Sequence, residues 1–158
     1  MQSAVADPFE VIARHQKAPP IPLDAISADL GLRVVQTPLG SDTAGQIVRD
    51  GRSHSGYSIY INSTQHPNRQ RFTWAHEIAH FALHRDLIES GIVDDTMYRS
   101  SLSNFYEVQA NKMAADILMP IRLVKRWRDL MQMDVVQLAK AFQVSTASMQ
   151  IRLDGLKS

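Results

Sequence analysis

Hydrophobic positions along the chain follow two spacings, which separate helical from extended segments. In residues 69–84 and 105–119 apolar side chains recur every three or four residues, and neither Gly nor Pro interrupts either stretch. Such a pattern places the apolar side chains on one face of a helix. It predicts two long helices, the second ended by Pro120.

Alternating hydrophobic positions predict strands ahead of the first long helix. In residues 56–62 the alternation puts Tyr57, Ile59 and Ile61 on one face. Asp50-Gly51 predicts a turn, so the last two of the three predicted strands should form a hairpin. We expect a small antiparallel three-stranded sheet, with strands at 32–36, 44–49 and 56–62.

Capping residues predict shorter helices at both ends of the chain. Asp7, Asp134 and Ser145 each have the side chain of an N-cap, and Gly31 suits the end of a helix. The helices are predicted at about 8–16, 23–30, 121–131, 135–142 and 146–153. Residues 85–103 lack a clear period and are predicted to be a long loop.

The first long helix contains the sequence His76-Glu77-x-x-His80. Residues four apart lie on one face of a helix, so the two imidazoles can bind a common divalent metal ion. Glu77 lies about 100° round the helix from His76 and can take a proton from water without being a ligand. The alternative is a helix with solvated histidines, but burying unpaired imidazoles among these apolar neighbours would be costly.

Three protein ligands are usual in a catalytic zinc site, so a third must come from elsewhere. His84 lies about 12 Å along the helix from His76, too far to share an ion, and is expected to be packed or at the surface. Asp94 and Asp95, in the predicted loop, remain candidates.

Glu107, in the second long helix, is the better candidate for the third ligand. Ala110 and Ala114 share its face and would let the two helices approach closely. Asn111 is one turn further on and could hydrogen-bond a ligand. A glutamate stabilised by the helix dipole in the first turn is the alternative.

The amino-acid composition excludes several kinds of catalysis and of binding partner. The chain has no cysteine, which excludes disulfides and thiol catalysis and leaves His and carboxylate as zinc ligands. Its net charge of +1 gives little electrostatic attraction to nucleic acid or to a membrane surface. There is no uninterrupted apolar run long enough to span a bilayer, and no basic leader. We expect a cytoplasmic protein.

Residues 71–80 (RFTWAHEIAH) and 107–120 (ExxANxxAAxxLMP) resemble the ImmA/IrrE family of metallopeptidases. The resemblance extends more weakly over about residues 20–155, and Ala79 stands where the family often has Gly. It implies a gluzincin-like site with His76, His80 and Glu107 as ligands of Zn²⁺, or alternatively Mn²⁺, and Glu77 as general base. It also implies that the substrate is a helix-turn-helix repressor or antitoxin.

The final pair of helices has helix-turn-helix character, which suggests DNA reading as a rival function. Only Gln150 and Arg152 of the candidate recognition helix suit base contacts, so packing on the core or docking a protein is favoured. Direct DNA binding is therefore not expected.

We predict one α+β domain over residues 1–158. It comprises N-terminal helices (1–31), a catalytic core (32–120) and a C-terminal helical region (121–158). The predicted function is zinc-dependent endopeptidase activity. The alternative is a transcription regulator or toxin-antitoxin component that binds protein or DNA and uses a metal only for structure.

Overall fold

The computed structural model describes residues 7–89 and 101–156 and has an α+β fold. Each predicted helix and strand is present within a few residues of its expected bounds. In chain order the elements are α1 (Pro8–Arg14), α2 (Leu23–Asp29), β1 (Arg33–Thr37), β2 (Gly45–Arg49), β3 (Tyr57–Asn62), α3 (Pro67–Leu83), α4 (Arg85–Glu89), α5 (Ser101–Leu118), α6 (Ile121–Met131), α7 (Val135–Phe142) and α8 (Thr146–Asp154).

Local sequence accounts for the ends of the short helices. The Asp7 side chain accepts a hydrogen bond from the Phe9 amide at the start of α1. Asp134 forms a capping box with Gln137 at the start of α7, and the Ser145 hydroxyl accepts from an amide of α8. These contacts satisfy amides that a helix leaves without partners, as the sequence predicted.

The sheet is mixed, so the predicted antiparallel arrangement is wrong for one strand pair. Its strand order is β1-β3-β2: β2 and β3 form the expected antiparallel hairpin, whereas β1 runs parallel to β3. The chain leaving β1 does not turn back beside it. Instead it passes the end of β3 and enters β2 on the far side, which leaves β3 in the centre.

Asn62, the buried last residue of β3, stabilises this crossing. Its amide nitrogen donates to the carbonyl oxygens of Leu39, Gly40 and Thr43, and its Oδ1 accepts from the Leu39 amide. The Asn62 side chain thus forms hydrogen bonds with several backbone groups of the β1–β2 connection. Strand pairing leaves these groups without partners.

Asp50 organises the turn of the β2–β3 hairpin. Its carboxylate accepts from the Arg52 side chain at 3.0 Å and from the Ser58 hydroxyl at 2.7 Å. These bonds, that from Arg52 first, hold the pKa of Asp50 well below its ordinary value of 3.8.

The prediction of a loop over 85–103 is wrong at both ends of that range, where α4 and the first residues of α5 lie. Amides of Leu87 and Ile88 both bond the His84 carbonyl, and the Ile88 side chain is buried. Contacts of α4 with α3 and β2 provide that burial, which periodicity alone did not predict.

The helix α3 lies at the centre of the molecule, with α5 and the sheet packed against it. Ala75 and Ala79 on α3 and Ala110 and Ala114 on α5 are fully buried, which permits a close approach of the two backbones. On the N-terminal side, the Trp74 indole donates to the hydroxyl of a buried serine in α2. Among the described residues no helix combines the length and the apolarity that a membrane span requires.

The C-terminal helices pack on this core. Leu138, Phe142 and Met149 are fully buried where α7 meets α8. Arg152 of α8 forms a 3.0 Å ion pair with Asp116 of α5. The structure therefore places α8 beside the helix that carries Glu107.

Candidate metal centre

His76, Glu77 and His80 occupy the middle of α3 and are held by its contacts with the sheet and with α5. His80 is almost fully buried, His76 is partly buried, and Glu77 is 6% exposed. The imidazole centroids of His76 and His80 are 4.7 Å apart, as expected for residues one helical turn apart.

Glu107 projects from α5 between the two histidines. His76 Nε2 lies 3.0 Å from Glu107 Oε2, and His80 Nε2 lies 2.8 Å from Glu107 Oε1. One donor atom from each of the three residues lies within 4.8 Å of the others. Of the candidates named from sequence, Asp94 and Asp95 lie outside the described residues.

Burial and mutual contacts shift the pKa values of all three residues. Burial acts to raise the pKa of Glu107, but bonds with His76 and His80 overcome it and lower the pKa to about 2. Burial lowers the pKa of His80, and the nearby imidazoles add to that effect. For His76, burial is outweighed by Glu107, Glu77 and Asn111, which raise its pKa.

This donor set fits a divalent cation. Two imidazoles and one ionised carboxylate are ligands that zinc accepts, and their side-by-side placement leaves room for a non-protein ligand. The group of His76, His80 and Glu107 can therefore hold a divalent metal ion.

A cavity of about 640 Å³ opens directly onto this group. His76, Glu77 and Glu107 form part of its wall, together with the start of β2. Asn111 lies on the same wall and contributes to the raised pKa of His76. The remaining wall is largely apolar and includes Phe72, Ala115, Met119 and Ile151.

The contribution of α8 to the cavity was not predicted from the sequence. Ser148 and Ile151 line the cavity, and Ile151 is 74% exposed although it is apolar. The two side chains that suit base contacts bind other residues of the protein: Gln150 donates a hydrogen bond to Asp154, and Arg152 forms an ion pair with α5. The ion pair of Arg152 holds α8 against α5.

His84 lies outside the group of three, yet it is buried and contacts that group. Its Nδ1 is 2.9 Å from His80 Nδ1, and its Nε2 is 2.8 Å from Gln109 Oε1. Its ring also packs against Tyr106, with centroids 4.9 Å apart. The sequence signal was present, because His84 follows His80 by the spacing that relates His80 to His76.

A helix bearing His-Glu-x-x-His that packs on a second helix bearing a glutamate is typical of metallopeptidases. Comparison with known families agrees with this class. The model of the Peptidase M78 family, the IrrE N-terminal-like domain, matches residues 28–154, and the chain belongs to this family. The resemblance noted from the sequence is thereby confirmed.

One relative is the radiation response metalloprotease IrrE of Deinococcus radiodurans. It is 35% identical over 104 residues, which make up 63% of this chain and 32% of IrrE. The chain therefore matches about a third of the length of that relative.

Proposed function

We propose that the chain is a zinc-dependent metallopeptidase that cleaves a peptide bond within a protein, with Mn²⁺ as the alternative metal. The observation that carries the proposal is the convergence of His76, His80 and Glu107 at the wall of a large cavity, with Glu77 on the same wall. Membership of the Peptidase M78 family and the name of the relative IrrE, a metalloprotease, support it.

In this proposal each residue of the group has one role. His76, His80 and Glu107 hold the ion, and Asn111, which lines the cavity beside His76, orients this ligand. A divalent ion bound there supplies Lewis acidity, which polarises a carbonyl group and makes water more acidic. Glu77 takes a proton from the attacking water and passes it to the leaving amine.

The edge of β2 supports binding of an extended peptide. The Asn62 amide donates to the Ala44 carbonyl, so the backbone of Ala44 faces β3 and that of the next residue, Gly45, faces away. Both residues line the cavity. A substrate strand can therefore pair with the outer edge of β2 while its scissile bond lies beside Glu77.

We further propose that the substrate is a helix-turn-helix repressor or antitoxin and that cleavage occurs in the cytoplasm, where such proteins bind DNA. The family resemblance is the support for this choice. The rival, a regulator with a purely structural metal, is less favoured because structural sites close their coordination sphere, whereas two of these three donors, His76 and Glu107, line a cavity.

The test is proteolysis with purified protein. Zinc-loaded chain is incubated with repressors encoded beside its own gene, and products are identified by mass spectrometry. We expect one or a few defined cuts, lost after chelation and restored by zinc. Glu77→Gln is the matched control, because it should keep the metal and lose cleavage. Cleavage by Glu77→Gln would remove Glu77 from the mechanism, and an effect on transcription that survives this change would favour the rival.

A further inference from the structure

Four side chains form a continuous hydrogen-bonded chain that runs from α5 through α3 and back to α5. Glu107 contacts His80 at 2.8 Å, His80 contacts His84 at 2.9 Å, and His84 contacts Gln109 at 2.8 Å. His80 and His84 are buried, at 1% and 4% exposed. Each imidazole thus uses both of its ring nitrogens, whereas Gln109, at the end of the series, is exposed to solvent.

The chemistry of imidazole determines which ring nitrogen of His80 and of His84 carries the hydrogen. The nitrogen of His80 that faces Glu107 is Nε2, so Nε2 would hold the ion and must carry a lone pair. A neutral His80 then has its hydrogen on Nδ1 and donates to His84 Nδ1. His84 in turn carries its hydrogen on Nε2 and donates to Gln109 Oε1.

We propose that His84 and Gln109 are positioning residues, which hold His80 in the one tautomer and ring orientation that can bind the metal. The inference rests on the proposed metal centre and deepens it. A histidine ligand gains basicity and a fixed orientation when its second nitrogen donates to an acceptor. Here that acceptor is another histidine, whose own tautomer is selected by the Gln109 amide oxygen.

Substitutions at Gln109 test the direction in which the hydrogen bonds between His80, His84 and Gln109 are donated. Gln109→Glu offers only acceptor oxygens and favours the metal-binding tautomer. Gln109→Lys offers only donors and favours the opposite hydrogen on His84, which would then donate to His80 Nδ1 and leave the hydrogen on Nε2. Measured by competition with a chelating dye, zinc affinity should be retained or increased with Glu and reduced about 10-fold or more with Lys.

Charge alone could produce the same order of affinities, so the comparison is repeated in the background of His84→Phe. Phenylalanine keeps an aromatic ring beside Tyr106 but removes the hydrogen bonds that His84 makes to His80 and Gln109. If Gln109 acts through His84, the difference between the Glu and Lys variants should largely disappear there. A difference that persists undiminished would show a direct charge effect and overturn the inference.

Substitution at His84 itself separates positioning from packing. His84→Phe should weaken zinc binding by about 10–100-fold, whereas His84→Asn, whose Oδ1 can accept from His80 Nδ1, should recover most of the affinity. The melting temperature of the metal-free variants reports any packing defect separately. Nitrogen NMR of the zinc-loaded wild type should show His84 with its hydrogen on Nε2.

The outcomes distinguish this inference from the proposed function. Wild type that binds zinc tightly while Glu107→Gln does not would support the metal centre. If His84→Phe then binds zinc as tightly as wild type, or NMR finds the hydrogen of His84 on Nδ1, the positioning role is wrong although the metal centre stands. Failure of wild type to bind either zinc or Mn²⁺ would refute both.

Discussion

Bound zinc should link α3 to α5 through its ligands and raise the temperature at which the protein unfolds. His76 and His80 lie on α3 and Glu107 on α5, and 27 positions along the chain separate His80 from Glu107. An unfolded chain does not hold these groups together, so an ion bound by all three stabilises the folded state. The chosen perturbation is Glu107→Gln, which preserves side-chain size and removes the anionic donor.

The size of the effect follows from mass action. With free zinc at about 100 times Kd, binding adds about 2.7 kcal/mol to the free energy of unfolding. For a chain of 158 residues, this corresponds to a rise in Tm of about 5–10 °C. Loss of a ligand should weaken binding by at least about 100-fold, more than loss of a residue that only orients one. The gain then falls to about 0.4 kcal/mol, or about 1 °C.

The assay is thermal unfolding of metal-free protein with and without zinc, at one zinc concentration set by the wild-type Kd. The zinc-induced shift is compared within each variant, because Glu107→Gln also changes bonds to His76 and His80 when no metal is present. Glu77→Gln is the control and should keep the full shift. A full shift in Glu107→Gln would refute the assignment of Glu107 as a ligand.

Four further predictions concern the reaction, the core, the sheet and pH. Glu77→Gln should retain zinc and lose hydrolysis, as measured by metal content and peptide release. Phe142→Ala empties a fully buried site between α7 and α8 and should lower the free energy of unfolding by about 3–5 kcal/mol in urea titrations. Gly45→Ala would place a Cβ 2.5 Å from Thr73 Cγ2 and 2.6 Å from a backbone oxygen of β3, so it should lower Tm and distort the cavity wall, measured as weaker peptide binding. Folding lowers the pKa of Asp50, so its ionised carboxylate stabilises the protein above its ordinary pKa of 3.8, and this stabilisation is lost as pH falls below 3.8. The difference in Tm between wild type and Asp50→Asn should therefore shrink below pH 3.8 and stay constant above about pH 5.

Each of these has a contrary result. Hydrolysis by Glu77→Gln would remove that residue from the proposed mechanism. An unchanged urea midpoint for Phe142→Ala would mean that α7 and α8 contribute little to the cooperative core. Unaltered Tm in Gly45→Ala would show that α3 can retreat from β2. A Tm difference for Asp50→Asn that is independent of pH would mean that the hairpin turn does not depend on an ionised carboxylate.

Local sequence was sufficient to predict every helix and strand except α4, and part of the site. Helical spacing, capping side chains and turn residues act over a few positions, so the bounds of α3 and α7 follow from their own residues. The spacing of His76 and His80 likewise defines their common face, because one helix carries both. Glu107 was the better candidate for the third ligand from its place in the second long helix, and the structure brings it to the two histidines.

Tertiary packing decided which distant segments became neighbours. The sequence of three strands does not reveal that β3 is central, because the path of the β1–β2 connection depends on bonds to Asn62. Periodicity of α8 shows an apolar side chain at Ile151 but not the cavity that it lines. His84 was correctly separated from the ligands by distance along the helix, yet its contact with Gln109 needed α5 beside α3. Patterns along the chain report only the near neighbours of a residue, whereas these contacts arise when separate helices and strands bury their faces against one another.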